Sequence, residues 1–240
     1  MNELHDVTCN IAGFEVLLRL RSPYTAYQCK DYISKCSLPP HMKLCATDDE
    51  IEKELPFCDG NIGAAESMCV QRKFCAALPK LSAFMLHASV IEVDGEGYGF
   101  FGLSGAGKST HTRLWLELLS HRACIVNGDK PVIRFDGKTP VAYGTPWCGK
   151  ENWNKNTSVP LKALCKIVKS KENRIREMSK EEAVCAFMGQ VIIPEDAESA
   201  ALTLEMLDKL IRSVKIYELS CDISLDAARL SFETMKGEQK

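Results

Sequence analysis

Gly102-Leu103-Ser104-Gly105-Ala106-Gly107-Lys108-Ser109 fills every position of the pattern G-x-x-x-x-G-K-[ST]. Upstream, Tyr98, Phe100 and Phe101 read as a buried strand running into this stretch. Downstream, residues 110–119 read as a helix with Leu114, Trp115, Leu118 and Leu119 on one side. In a strand, glycine-rich loop and helix, successive backbone N–H groups turn inward and the positive end of the helix favours an anion. Gly102, Ser104, Gly105, Ala106, Gly107 and Thr110 would form the phosphate cradle. Lys108 would reach the β- and γ-phosphates, and Ser109 would set its hydroxyl on a magnesium ion. The expected ligands are therefore ATP and Mg2+.

The chain has 240 residues, 45% of them hydrophobic, enough for one large domain or one domain with a small companion. A net charge of -2, with no Lys/Arg run interleaved with aromatics, argues against nucleic acid as a partner. Residues 1–10 carry Glu3, His5 and Asp6 and no apolar core, so they do not read as a signal peptide. No segment approaches the roughly 20 apolar residues of a membrane span. The expected setting is cytoplasmic, away from the membrane, with homo-oligomerisation left open. The 12 cysteines are scattered without a C-x-x-C pair, which argues against a zinc cluster, and they read as small buried hydrophobes. Cys148, between Trp147 and Gly149, is the one that falls in a candidate substrate loop.

Residues 7–27 read as β-rich, with strict alternation from Phe14 to Leu20, and the acids at 48–50 break the pattern. A boundary near Gly60 divides a small β-rich unit, 1–60, from a catalytic domain, 61–240. A helix is expected over 63–78, with Ala65, Met68, Cys75 and Leu78 as its stripe. Strands follow over 84–93 and 98–101, joined by Asp94-Gly95. A short strand over 123–126 ends in Asn127-Gly128-Asp129, and a second pair, 131–135 and 141–143, turns at Asp136-Gly137. A strand over 159–168 leads to a helix opened by the capping box of Ser179 and Glu182 and running to about Gly189. Ala200, Leu204, Leu207, Ile211 and Val214 mark another helix. A strand over 215–221 precedes a closing helix with Leu225, Ala228, Phe232 and Met235, and the tail 236–240 should fray. The fold class is α/β, a mixed sheet with flanking helices.

A phosphate loop only holds a nucleotide, so a second group must act on whatever receives the phosphoryl group. Asp129, at the end of the strand after the loop helix, is placed to bind Mg2+ or to accept the proton of an attacking hydroxyl. His87, on the strand leading toward the hairpin, could orient Asp129 or be structural. Arg113 could meet phosphate or solvent. The stretch 144–158, rich in Gly, polar residues and tryptophan, has the composition of a binding loop. There Lys150 and Glu151 would grip an acceptor and Trp147 or Trp153 would wall it off from water.

Leu86-His87-Ala88-Ser89, the Val-Asp-Gly hairpin, Gly102 to Thr110 and Asn127-Gly128-Asp129-Lys130-Pro131 together resemble the catalytic domain of HPr kinase/phosphorylase. The resemblance is closer still to shorter HPr-kinase-like bacterial proteins, which include kinases acting on lasso-peptide precursors, and more distant to the phosphoenolpyruvate carboxykinases. It covers residues 83–168. It implies a P-loop kinase in which Lys108, Ser109 and Asp129 act at phosphates and metal and His87 matches the family histidine. Two departures stand out: the family carries two adjacent acids where this chain has Gly128-Asp129, and no stretch matches the phosphorylase signature. The resemblance thus implies a γ-phosphoryl transfer to a hydroxyl of a peptide, protein or small molecule. A nucleotide-binding regulatory or assembly module with slow hydrolysis is the alternative.

Overall fold

The computed structural model describes residues 4–36 and 38–237. Strands β1 (His5–Ile11) and β2 (Phe14–Leu20) form an antiparallel hairpin, and β3 (Met42–Cys45) adds in parallel to β2. The alternation in β2 buries Phe14, Val16, Leu18 and Leu20. The β-reading of 7–27 holds only to Leu20, because Pro23 opens a short helix, α1 (Pro23–Gln28), behind the Ser22 cap. Proline loses no hydrogen bond at a first helical position. The acids at 48–50 do not break structure either. They form the first turn of α2 (Asp48–Glu54), where Thr47 and Glu50 make a capping box and negative charge meets the helix dipole.

Helix α3 (Ile62–Ala77) buries Ala65, Cys69, Val70, Phe74 and Cys75, while Met68, expected in its stripe, is 37% exposed. Residues on both sides of Gly60 share one hydrophobic cluster. Val16 and Leu18 of the small sheet meet Val70 and Phe74 of α3, together with Met85, Val132 and Trp147. Glu66, fully buried, ties the layers further by accepting the backbone N–H groups of Arg21 (2.7 Å) and Ser22 (2.9 Å).

The large sheet is built from β4 (Ala83–Met85), β5 (Ala88–Val93), β6 (Glu96–Phe101), β7 (Ala123–Asn127), β8 (Val132–Asp136), β9 (Thr139–Tyr143), β10 (Ser158–Lys169), β11 (Arg174–Glu177) and β12 (Lys215–Cys221). Its order is β4-β8-β9-β10-β6-β5-β7, with β12 on β10 and β11 on β12. Only β10 with β6 and β10 with β12 pair in parallel. The single strand expected over 84–93 is two strands, because the chain changes partners: β4 pairs with β8, whereas β5 lies between β6 and β7. His87 falls in the break, where its N–H donates to the Gln190 carbonyl at 2.7 Å.

Helices α4 (Lys108–Leu119) and α7 (Leu225–Lys236) cover one face, with Trp115 fully buried among Tyr98, Phe100 and Phe232. Helices α5 (Lys180–Phe187) and α6 (Ala197–Ser213) cover the other, where Phe187 stacks on Phe101 at 4.4 Å. The buried side of α6 is rotated from the expected stripe. Thr203, Met206, Leu207, Leu210 and Ile211 face inward and Leu204 is 44% exposed. Thr203 can go inside because its hydroxyl donates to the Ser199 carbonyl at 2.7 Å. The fraying expected over 236–240 concerns, from 238 on, residues outside the described ones, as do residues 1–3 of the amino-terminal stretch. No helix among the described residues is long and apolar enough to cross a membrane.

His111, on α4, is 2% exposed and makes a pH-sensitive contact. Ser231 donates its only proton to the Ala228 carbonyl (2.9 Å), so its oxygen accepts from Trp115 Nε1 (2.8 Å) and from His111 Nε2 (2.9 Å). Nδ1 is left without a partner among the described residues. Burial pushes the imidazole down to about 4 from its ordinary 6.5. Above 6.5 both folded and unfolded chains hold it neutral; below, the unfolded chain takes up the proton first. Stability is therefore lost as pH falls from 6.5 toward 4, by about 1.4 kcal/mol per pH unit from this group. In His111→Phe, the difference in unfolding free energy between about pH 7 and about pH 5 should shrink by roughly 2 kcal/mol relative to the parent. An undiminished difference in denaturant titrations would refute this.

Candidate active site

Strand β6 delivers residue 102 to the loop, and Gly107, at φ 106, opens α4 from a conformation that only glycine adopts without strain. No side chain caps α4, so the N–H groups of its first turn stay open to an anion. The Ala106 N–H, by contrast, closes the loop's own turn on the Leu103 carbonyl at 3.0 Å. Lys108 is 9% exposed and folds back, its Nζ donating to the Gly102 carbonyl at 3.2 Å. Burial pushes its pKa down, the Asp129 carboxylate works against that, and Lys130 adds to it. A cleft of about 520 Å3 brings Ser104, Gly105, Gly107, Lys108, Ser109 and Thr110 together with His87, Gly128 and Asp129, and with Cys148, Gly149, Lys150 and Glu151. Gly102 and Ala106 do not line it.

Asp129 is set by a residue that the sequence reading passed over. Asn127, fully buried at the end of β7, accepts the N–H groups of Asp129 (2.9 Å) and Lys130 (2.6 Å) on its Oδ1. Its Nδ2 donates to the Thr145 carbonyl at 3.0 Å, and the Thr145 hydroxyl donates to the Lys130 carbonyl at 2.7 Å. The signal was present in Asn127-Gly128-Asp129, since asparagine is suited to accept from the backbone two residues on. Gly128 is closely surrounded. A Cβ there would lie 3.0 Å from the Cys148 carbonyl oxygen and 3.1 Å from the Trp153 Cβ, so a second acid beside Asp129 would require these neighbours to give by a few tenths of an ångström.

The Asp129 Oδ1 lies 3.1 Å from His87 Nε2, and its Oδ2 lies 3.6 Å from Lys130 Nζ. A carboxylate only accepts, so Nε2 carries the proton. The Ala88 N–H donates to the Asp129 carbonyl at 3.0 Å, which ties the break after β4 to the end of β7. Burial alone would raise the Asp129 pKa. The His87 hydrogen bond and the nearby Lys130, His87 and Lys108 outweigh it and hold the carboxyl below its ordinary value.

The loop between β9 and β10 divides between two surroundings. Lys150 and Glu151 are exposed on the cleft wall. Trp147 does not lie over the phosphate cleft. It is 4% exposed, packs on Phe74 at 5.3 Å between ring centres, and donates from Nε1 to the Ser67 hydroxyl at 3.3 Å. Trp153 sits under the Arg113 guanidinium at 5.4 Å, so Arg113 is engaged there rather than on the cleft wall. Burial, with the Asp129 charge, pushes the Cys148 thiol up to about 11, so it is not a thiolate nucleophile.

No protein-family model matches the chain, and no curated protein matches it. Among solved structures, it is similar to the Hpr(Ser) kinase/phosphatase from Coxiella burnetii. The two are 12% identical, with a TM-score of 0.34, over 64% of this chain and 99% of that one.

Asp129 and Ser109 offer a carboxylate and a hydroxyl on one cleft. Such an all-oxygen pair suits Mg2+, which keeps several waters and takes its remaining ligands from phosphate.

Proposed function

We propose that this protein is an ATP-dependent kinase that transfers the γ-phosphoryl group to a hydroxyl. The observation that carries the reading is the Asp129 carboxylate, hydrogen-bonded by His87 and facing the same cleft as Lys108, Ser109 and the uncapped start of α4. The placement of ATP gains support from an adjoining cavity of about 490 Å3 beside Gly105 and Gly107. Leu114, Ile167 and Ile223 give it the apolar walls that a nucleoside needs.

In this reading the open N–H groups of the loop and of α4 hold the phosphates, and Lys108 swings from the Gly102 carbonyl to the β/γ oxygens. Asp129 and Ser109 would hold Mg2+, which would neutralise phosphate charge when bound. Asp129 takes the proton of the acceptor hydroxyl. The acceptor oxygen then bonds to the γ-phosphorus, the bond to the β–γ bridging oxygen breaks, and ADP leaves with its electron pair. His87 keeps the carboxylate oriented throughout. The test is incubation of the purified chain with γ-labelled ATP and Mg2+ against serine-containing peptides, free hydroxy amino acids, polyols and buffer alone. Label should move to an acceptor faster than to water; release as inorganic phosphate alone would favour the slow-hydrolysis module.

A further inference from the structure

We propose that the acceptor of this kinase binds in a separate cavity on the other side of Asp129, and that it is a small uncharged polyol. The inference rests on the kinase reading above and adds to it a site and a substrate class. The cavity measures about 290 Å3, at the small end of ligand pockets. Asp129, Cys148 and Gly149 line both this cavity and the phosphate cleft, so the carboxylate stands where the two meet. Lys130 and Trp147 add to that side and the rest of the wall comes from α1 and α3, which gives the amino-terminal layer a direct part in the site.

The chemistry of that wall selects the ligand. Ser67, 4% exposed, donates to Gln28 Oε1 at 2.6 Å while accepting from Trp147 Nε1 at 3.3 Å. Gln28 is thereby fixed by its oxygen, and its NH2 has no partner among the described residues. Gln71, also 4% exposed, points its NH2 toward Met85 Sδ at 3.8 Å, a weak contact, and its Oε1 has no hydrogen bond among the described residues. One amide thus offers donors and the other an acceptor, the complement of neighbouring hydroxyls, each of which both donates and accepts. Among the described residues Lys130 is the only cation lining this cavity, and it already faces Asp129 at 3.6 Å, so the wall favours an uncharged ligand over an anionic one. A polyol of sugar size fills the volume with one hydroxyl at Asp129. That hydroxyl gives its proton to the carboxylate, its oxygen takes the γ-phosphorus, and the products are a phosphate monoester, ADP and a proton later released to water.

The experiment uses the full chain with γ-labelled ATP and Mg2+, offered glycerol, ribose or myo-inositol in one arm and a neutral serine peptide in the other, with ATP affinity measured separately by calorimetry. Label should enter at least one polyol. Ala64→Phe, which places a ring in this cavity from α3, should abolish that transfer, and the milder Gln71→Leu should raise the polyol KM at least tenfold. Both variants should keep ATP affinity within about twofold, since neither touches the phosphate cleft. Transfer to the polyol undiminished in Ala64→Phe, or label entering the peptide and no polyol, overturns the proposal while leaving the kinase reading standing. Failure of the parent chain to bind ATP overturns both.

Discussion

Replacing Lys108 by alanine is expected to weaken Mg2+–ATP binding at least a hundredfold while leaving the unfolding midpoint almost unchanged. In the free protein the ammonium has one modest partner, the Gly102 carbonyl at 3.2 Å, and no ion pair among the described residues. Burial already disfavours its charged form, so deleting it relieves a desolvation penalty that offsets the loss of its attraction to the Asp129 carboxylate. With ATP bound, the same group would make two charge-assisted bonds to phosphate oxygens. At about 1.5–3 kcal/mol each, their loss corresponds to at least two orders of magnitude in affinity. Calorimetry on the parent and on Lys108→Ala decides this, and equal affinities would remove the nucleotide from the proposal.

The other large effect is expected at Asp129. Asp129→Asn keeps the shape and the bond from His87 but cannot take a proton, and turnover should fall on the order of 100-fold or more. ATP affinity measured without Mg2+ should barely move. The pH dependence follows from the direction of the shift. In the free protein the carboxyl is held below its ordinary value of 3.8, so its titration, followed by NMR without Mg2+ or nucleotide, should lie below the usual aspartate range. His87→Ala removes the largest of the lowering influences, so in that variant the titration should move upward in pH. A titration unmoved in His87→Ala would show that His87 does not act on this carboxylate.

The segment from Tyr98 to Leu119 was legible because its signals are local: alternation, glycines, then a helical stripe next in sequence. Asp129 was legible for a similar reason, as an acid closing a short apolar strand. What escaped depends on contacts distant in sequence. The partner exchange that breaks the strand at His87 is set by where β8 and β6 lie, not by residues 84–93 themselves. Asn127 gains its role from Thr145, eighteen positions on. Trp147 reads as a loop aromatic until Phe74 and Ser67 are seen to receive it. The stripe of α6 shifted because a threonine can be buried once its hydroxyl is satisfied within its own helix, and a scale of hydrophobicity counts it as surface.

Trp147 also has a mechanical side. Its ring is clamped in the core of the amino-terminal layer, and two residues later Gly149 abuts Asp129 so closely that a Cβ there would lie 3.2 Å from the Asp129 Cβ. The segment 147–149 is thus a short strut between that layer and the carboxylate, too short to absorb slack. A tilt of the small sheet or of α3 against the large sheet would be transmitted as a displacement of Asp129 relative to the loop, without any change in the loop itself. The amino-terminal layer, which supplies none of the phosphate loop, is in this sense the mount on which the reactive group is aligned.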